Sequence, residues 1–196
     1  MTVITPKRGD RVFTPLWVAQ DMVRHFNPSG LVLEPFKGNG VFTSLLPNAE
    51  WCEIDNGRDF FTRSARADWI ITNPPYSKTR ICFRHAMRLA DDIVFLVPLR
   101  NVFSGNGFVT EIFQWGGIVE IRVYGTGCRL VFPMGNCVGA MHFRREWGGP
   151  TAWSFFPEAA EHTLPRRDVR RRTGRSRARA DTGAPLMPDE RKDTWS

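Results

Sequence analysis

Asp68-Trp69-Ile70-Ile71-Thr72-Asn73-Pro74-Pro75-Tyr76 is the stretch that decides the fold. Its β-branched and aromatic residues, cut off by two prolines, read as a buried strand over 68–72 that stops abruptly. Pro75 confines Pro74 to extended backbone, and neither ring nitrogen can donate a hydrogen bond. The chain beyond Asn73 is therefore stiff. It holds an amide side chain, a bare carbonyl and a tyrosine ring in a fixed relation at a strand's C-terminal edge, where open α/β sheets bind ligands. A plain strand-terminating turn would carry the same residues, so the reading turns on what lies upstream.

Thr14-Pro15 predicts a helix start, with Thr14 as N-cap and Pro15 at the first helical position. Leu16, Val18, Ala19, Met22, Val23 and Phe26 follow at helical spacing, and Asn27-Pro28-Ser29-Gly30 closes the helix. Leu31-Val32-Leu33 is a short buried strand running into Glu34-Pro35-Phe36-Lys37-Gly38-Asn39-Gly40. A second apolar helix is expected from Val41 to Pro47. Strand, glycine-rich turn and helix make a nucleotide-binding corner, in which small residues let a ligand approach the backbone. Glu34 refines this, because a carboxylate repels a phosphate but favours an ammonium or sulfonium. The next strand is expected over 51–55, ending in Glu53 and Asp55. An acid at that position of a doubly wound fold accepts a ribose diol. Surface acids at a strand end would look alike, and Gly40 to Glu53 is shorter than the ~20 residues of dinucleotide folds.

Downstream, Ser77-Lys78-Thr79-Arg80 is a basic loop leading into a helix over about 79–90. Ile93-Val94-Phe95-Leu96-Val97-Pro98 is a continuous apolar run, as for a strand covered on both faces. A loop over 99–107, a helix over 108–115 and a strand over 118–124 follow. Stretches 129–132 and 137–143 read as a terminal hairpin. Strands alternating with helices and closing on a hairpin predict an α/β fold: a doubly wound, mostly parallel sheet with a C-terminal antiparallel hairpin.

The 196 residues, 42% hydrophobic and 24% charged, suit one globular domain, expected over 1–157. Beyond it, arginines cluster between 166 and 179 and apolar periodicity is lost, so 158–196 reads as a basic, disordered tail. A net charge of +7 and a pI near 9.8 favour a polyanionic partner. Cys52, Cys82, Cys128 and Cys137 show no metal-ligand spacing, so reduced thiols, a cytoplasmic setting and no metal are expected. No apolar stretch approaches ~18 residues, which speaks against a membrane span.

Taken in order, Thr14-Pro15, Glu34-Pro35-Phe36-Lys37-Gly38-Asn39-Gly40, Glu53-Ile54-Asp55, Asp59-Phe60 and Asn73-Pro74-Pro75-Tyr76 resemble one family. It is that of the S-adenosylmethionine-dependent DNA adenine-N6 methyltransferases, especially the small phage-encoded type. The resemblance spans roughly 12–145 and implies a Rossmann-like class I methyltransferase fold in a bacterial or phage-encoded protein. It places Thr14 near the methionine carboxylate of the cofactor and Glu34 opposite its ammonium group. Pro35, Phe36, Gly38 and Gly40 would pass beneath the methionine part. Glu53 would accept the ribose hydroxyls, Ile54 would pack on the adenine, and Asp59 and Phe60 would bind its amine and ring. Asn73 and Pro74 would accept the N–H groups of a target adenine flipped from double-stranded DNA, with Tyr76 stacked on the base. Phe132 would be a second aromatic wall, and Lys78, Arg80 and Arg100 phosphate contacts. The resemblance implies no separate target-recognition domain, so that sequence reading would come from loops 77–84 and 100–107, from a partner, or be weak. A glutamine-N5 methyltransferase of protein release factors, an RNA adenine methyltransferase and an idle cofactor-fold module remain alternatives.

Overall fold

The computed structural model describes residues 12–126 and 135–156. All belong to one compact unit, 1–163; a second unit, 164–196, and the expected tail boundary at 157 lie outside the described residues. The first helix, α1 (Leu16–Phe26), buries Val18, Ala19, Met22 and Phe26. Then come β1 (Val32–Glu34), α2 (Val41–Leu45), β2 (Glu50–Trp51) and β3 (Trp69–Thr72). These are followed by α3 (Thr79–Leu89), β4 (Asp92–Pro98), α4 (Arg100–Phe103) and α5 (Asn106–Trp115). The described chain closes with β5 (Gly116–Thr126), β6 (Cys137–Arg145) and β7 (Ala152–Phe155).

Seven strands among the described residues form one sheet in the order β2-β1-β3-β4-β6-β5-β7. The pairs β1–β2, β1–β3, β3–β4 and β5–β7 are parallel; β6 runs antiparallel to both β4 and β5. From β1 the chain steps one way to β2 and then back across to β3. The crevice at the carboxyl ends of β1 and β3 is thus a topological switch point, where a ligand finds room between diverging connections. β4 is buried along nearly its whole length, as its unbroken apolar run requires. Phe83 of α3 meets the rings of Phe95, Phe108, Trp115 and Phe143 within 6.0 Å, locking α3 and α5 onto this part of the sheet.

The structure corrects several expectations. Thr14 is not the N-cap of α1: the cap position is Pro15, no side chain caps it, and Thr14 is instead buried. The strand expected over 51–55 is Glu50–Trp51 only, because the chain turns at Glu53 into a 3-10 turn over Ile54–Asn56. The loop after β4 contains the single helical turn of α4. β6 pairs with β5, so the antiparallel arm reaches back to Gly116; stretch 129–132, expected as the partner, lies outside the described residues. β7 is an edge strand that was not foreseen, since four residues with no alternating pattern give no period to read.

Helix α1 is tied to the sheet by a buried polar cluster. Arg122 donates from Nε to Asp21 Oδ2 at 2.5 Å and from Nη2 to Oδ1 at 2.8 Å, and the Tyr124 hydroxyl donates to Oδ2 at 2.6 Å. A bidentate guanidinium–carboxylate pair fixes direction as well as distance. It sets the position of the segment entering α1, which forms one lip of the crevice.

Candidate active site

A cavity of about 260 Å³ occupies the crevice. Its walls come from the three parallel strand ends: Pro35, Phe36 and Gly38 after β1, Glu53 and Ile54 after β2, and Asn73, Pro75 and Lys78 after β3. Val12 and Phe13, ahead of α1, and Asp59, Phe60 and Phe61 close it. The loop after β1 turns on Gly38 and Gly40, with φ of 52° and 81°, left-handed values that a side chain strains to adopt.

Glu53 holds this loop against its neighbour. Its Oε2 accepts from the Gly38 N–H at 2.8 Å and its Oε1 from the Asp55 N–H at 3.4 Å. The carboxylate is thereby fixed at the cavity wall with acceptor capacity left over, since each carboxylate oxygen carries two lone pairs. Asp59 caps a second 3-10 turn, Phe60–Thr62, accepting from the Phe61 N–H at 2.9 Å. Phe60 is buried between Phe36 and His85, edge-on to both at 5.2 and 4.6 Å. The wall is therefore apolar, with acids at its rim.

At the end of β3, Asn73 Nδ2 donates to the Val12 carbonyl at 2.9 Å, while the buried Oδ1 has no protein partner among the described residues. Flipping the amide would set two carbonyl oxygens against each other, so the donor is fixed on Val12 and the free acceptor is held at the cavity wall. An unsatisfied buried acceptor costs stability unless something supplies its donor. Glu34 shows the same pattern. Its Oε1 accepts from the Thr72 hydroxyl and, at 3.0 Å, from the Phe36 N–H, while its buried Oε2 has no partner among the described residues. Burial raises its carboxyl to about 8, against the lowering effect of those two hydrogen bonds.

Of the residues singled out in the sequence, Pro35, Phe36, Gly38, Glu53, Ile54, Asp59, Phe60, Asn73 and Lys78 line this cavity. Glu34, which is buried, does not reach its wall, nor do Thr14, Gly40, Pro74, Arg80 and Arg100. Tyr76 is buried and lines a second cavity with Thr79, Arg80 and Asn101. Arg80 is ion-paired with Glu111, and Arg100 is exposed at the start of α4. Phe132 lies outside the described residues. No group of three potential metal-ligating side chains, and no helix long and apolar enough to cross a membrane, occurs among the described residues.

Three contributors escaped the sequence reading. Val12 and Phe13 precede the first predicted element, although an apolar pair directly before Thr14-Pro15 is a usable sign of packing. Asn101 donates from Nδ2 to the Tyr76 carbonyl at 2.9 Å and to the Thr79 hydroxyl at 3.3 Å, bracing the turn after β3. Nothing in the sequence links Asn101 to a turn 25 residues earlier.

No family model and no curated protein matches the chain in sequence. Solved structures do match in fold. A protein described as a class I S-adenosylmethionine-dependent methyltransferase from Listeria monocytogenes aligns over 79% of this chain and 68% of its own, at 12% identity and a TM-score of 0.53. A dimethyladenosine transferase from Plasmodium falciparum aligns over 69% of this chain and 63% of its own, at 12% identity and a TM-score of 0.53. The M protein of the type I restriction enzyme EcoKI aligns over 68% of this chain at 15% identity and a TM-score of 0.52. The aligned region spans only 44% of that M protein's length. The switch-point crevice and the reversed β6 thus belong to a Rossmann-like fold of the class I methyltransferase type.

Proposed function

We propose that the protein is an S-adenosylmethionine-dependent methyltransferase acting on the exocyclic N6 amine of adenine in DNA. The observation that carries this reading is Asn73 Oδ1, buried, without a protein partner among the described residues and held at the crevice with its amide orientation fixed. An exocyclic amine is a poor nucleophile because its lone pair is delocalised into the ring. Acceptors at Asn73 Oδ1 and the Pro74 carbonyl would bind its two N–H groups and favour the pyramidal form. Positive charge growing on the nitrogen meets preorganised negative dipoles there, without a strong base.

The cavity residues fit the cofactor. The apolar wall of Phe36, Ile54 and Phe60 suits an adenine ring, and the rim acids Glu53 and Asp59 suit hydroxyl and amine donors. Glu34 Oε2 is buried without a partner among the described residues, and its ionised form would suit a cationic neighbour. When bound, S-adenosylmethionine supplies an electrophilic methyl group on a sulfonium. Glu53→Ala removes an acceptor for the ribose and the anchor of Gly38. The cofactor dissociation constant should rise roughly 10- to 100-fold, the worth of one or two charge-assisted hydrogen bonds. Calorimetry reads this directly, and unchanged affinity would dismiss the ribose role.

The decisive experiment incubates the protein with methyl-labelled cofactor and, in parallel, duplex DNA, transfer RNA or a release factor. Label in DNA that digests to N6-methyladenine is the expected result. Label confined to the release factor or to RNA would replace this reading with the glutamine-N5 or the RNA adenine alternative, and no label in any substrate would favour the idle module.

A further inference from the structure

Helix α3 begins directly after the Tyr76–Lys78 turn of the candidate site and carries arginines at 80, 84 and 88. Four-residue steps place them along one face, about 6 Å apart at 1.5 Å per residue. The opposite face is buried through Cys82, Phe83, Ala86 and Leu89, so the arginine face points outward. At its far end it opens into a shallow depression of about 580 Å³. Arg66, Arg84, Arg88 and Arg145 rim it, Trp115 contributes to its floor, and Arg145 lies over the Trp115 ring at 5.3 Å.

The guanidiniums are held in place. Glu111 binds both Arg80 and Arg84, and the pair keeps its carboxyl down at about 2. Asp91 binds Arg66 at 2.7 Å and Arg145 at 2.5 Å. Arg88 donates from Nη2 to His85 Nδ1 at 2.5 Å. Two carboxylates thus serve four of the five arginines, so positive charge is in excess. Arg66 and Arg84 are still about half exposed. Each guanidinium has five donors in a rigid fork, so those turned outward remain available. Side chains already ordered by carboxylates lose little freedom on meeting a phosphate.

We infer that the Arg80–Arg84–Arg88 face of α3, continued by Arg66 and Arg145, is a docking surface for the phosphate backbone of the nucleic acid flanking the target base. This rests on the reading of the crevice as a nucleic-acid methylation site, because α3 leads straight away from it. One strand of B-form DNA rises about 3.4 Å per nucleotide, so arginines about 6 Å apart suit roughly every second phosphate.

The test is duplex binding by the full chain over a salt series, comparing wild type with Arg84→Gln/Arg88→Gln. The slope of log affinity against log salt should become shallower by roughly 1–2, as about one counterion per lost phosphate contact is no longer released. Cofactor affinity should stay at the wild-type value, which reports an intact fold. Arg84→Lys/Arg88→Lys should keep the slope, and Glu111→Gln, which leaves two guanidiniums unneutralised, should tighten binding. An unchanged slope in the glutamine variant overturns the surface. DNA methylation is scored separately. A protein that methylates DNA with an unchanged slope loses the surface and keeps the function; one that binds through these arginines but methylates no DNA loses the function and keeps the surface.

Discussion

Asn73→Ala should lower kcat for methyl transfer by roughly 100- to 1,000-fold, the usual cost of removing one preorganised polar group at a developing charge. Cofactor affinity should hold, because the acids and aromatic wall that would contact it lie on other strands. The geometry makes the effect large. Oδ1 is already desolvated and lacks a partner among the described residues, so the protein meets that cost before substrate arrives, and the N–H of an incoming amine would relieve it. Asn73→Asp is the informative companion. It retains acceptors toward an amine but loses the N–H donated to the Val12 carbonyl and sets a carboxylate against that oxygen. Partial activity with a loosened lead segment, seen as faster amide exchange at Val12 and Phe13, is the expected pattern. Single-turnover rates of Asn73→Ala equal to wild type would remove Asn73 from the mechanism.

The second large effect concerns Glu34 and pH. Its carboxyl stands near 8 in the folded protein against an ordinary value of 4.5, with burial as the main cause. Between those two values the folded state holds a proton that the unfolded chain releases. Stability therefore falls as pH rises through that window, by up to about 1.4 kcal/mol per pH unit, and levels off above 8. Glu34→Gln carries no titrating proton. Its thermal midpoint should be nearly flat from pH 5 to pH 9, on the order of the window set by that shift, and should exceed the wild-type midpoint at the alkaline end. A wild type whose midpoint rises with pH across this range would contradict the assignment. Because Oε2 lacks a partner among the described residues, a cation seated against it would favour the ionised form. Cofactor binding near neutral pH should then release protons, visible as a dependence of the calorimetric heat on buffer ionisation enthalpy.

Most of the sheet was legible in the sequence because its signals are local. The apolar run of β4, the glycines after β1 and the paired prolines after β3 each impose a backbone state by themselves, whatever packs around them. The order in which those segments occur was enough for the parallel half of the sheet and for the residues around the crevice. Element ends were less legible. Trp51 to Asp55 looks like a strand, but Glu53 draws two backbone N–H groups onto its carboxylate and ends the ladder early. Thr14 looks like a cap, but burial removes it from that task. β7 exists only because β5 offers it an edge.

By itself, then, the sequence determined that Asn73 ends a buried strand on a stiff turn, with acids and glycines ending two others. Chain stiffness and side-chain period are properties of neighbouring residues. Only the tertiary structure decided that the Asn73 amide is turned by the Val12 carbonyl, and that Glu34 is buried against the Thr72 hydroxyl. It also set Tyr76 at a second cavity and gathered arginines from three segments around the far end of α3. Each of these depends on which distant groups share a low-dielectric space or a common carboxylate, and that is fixed by packing.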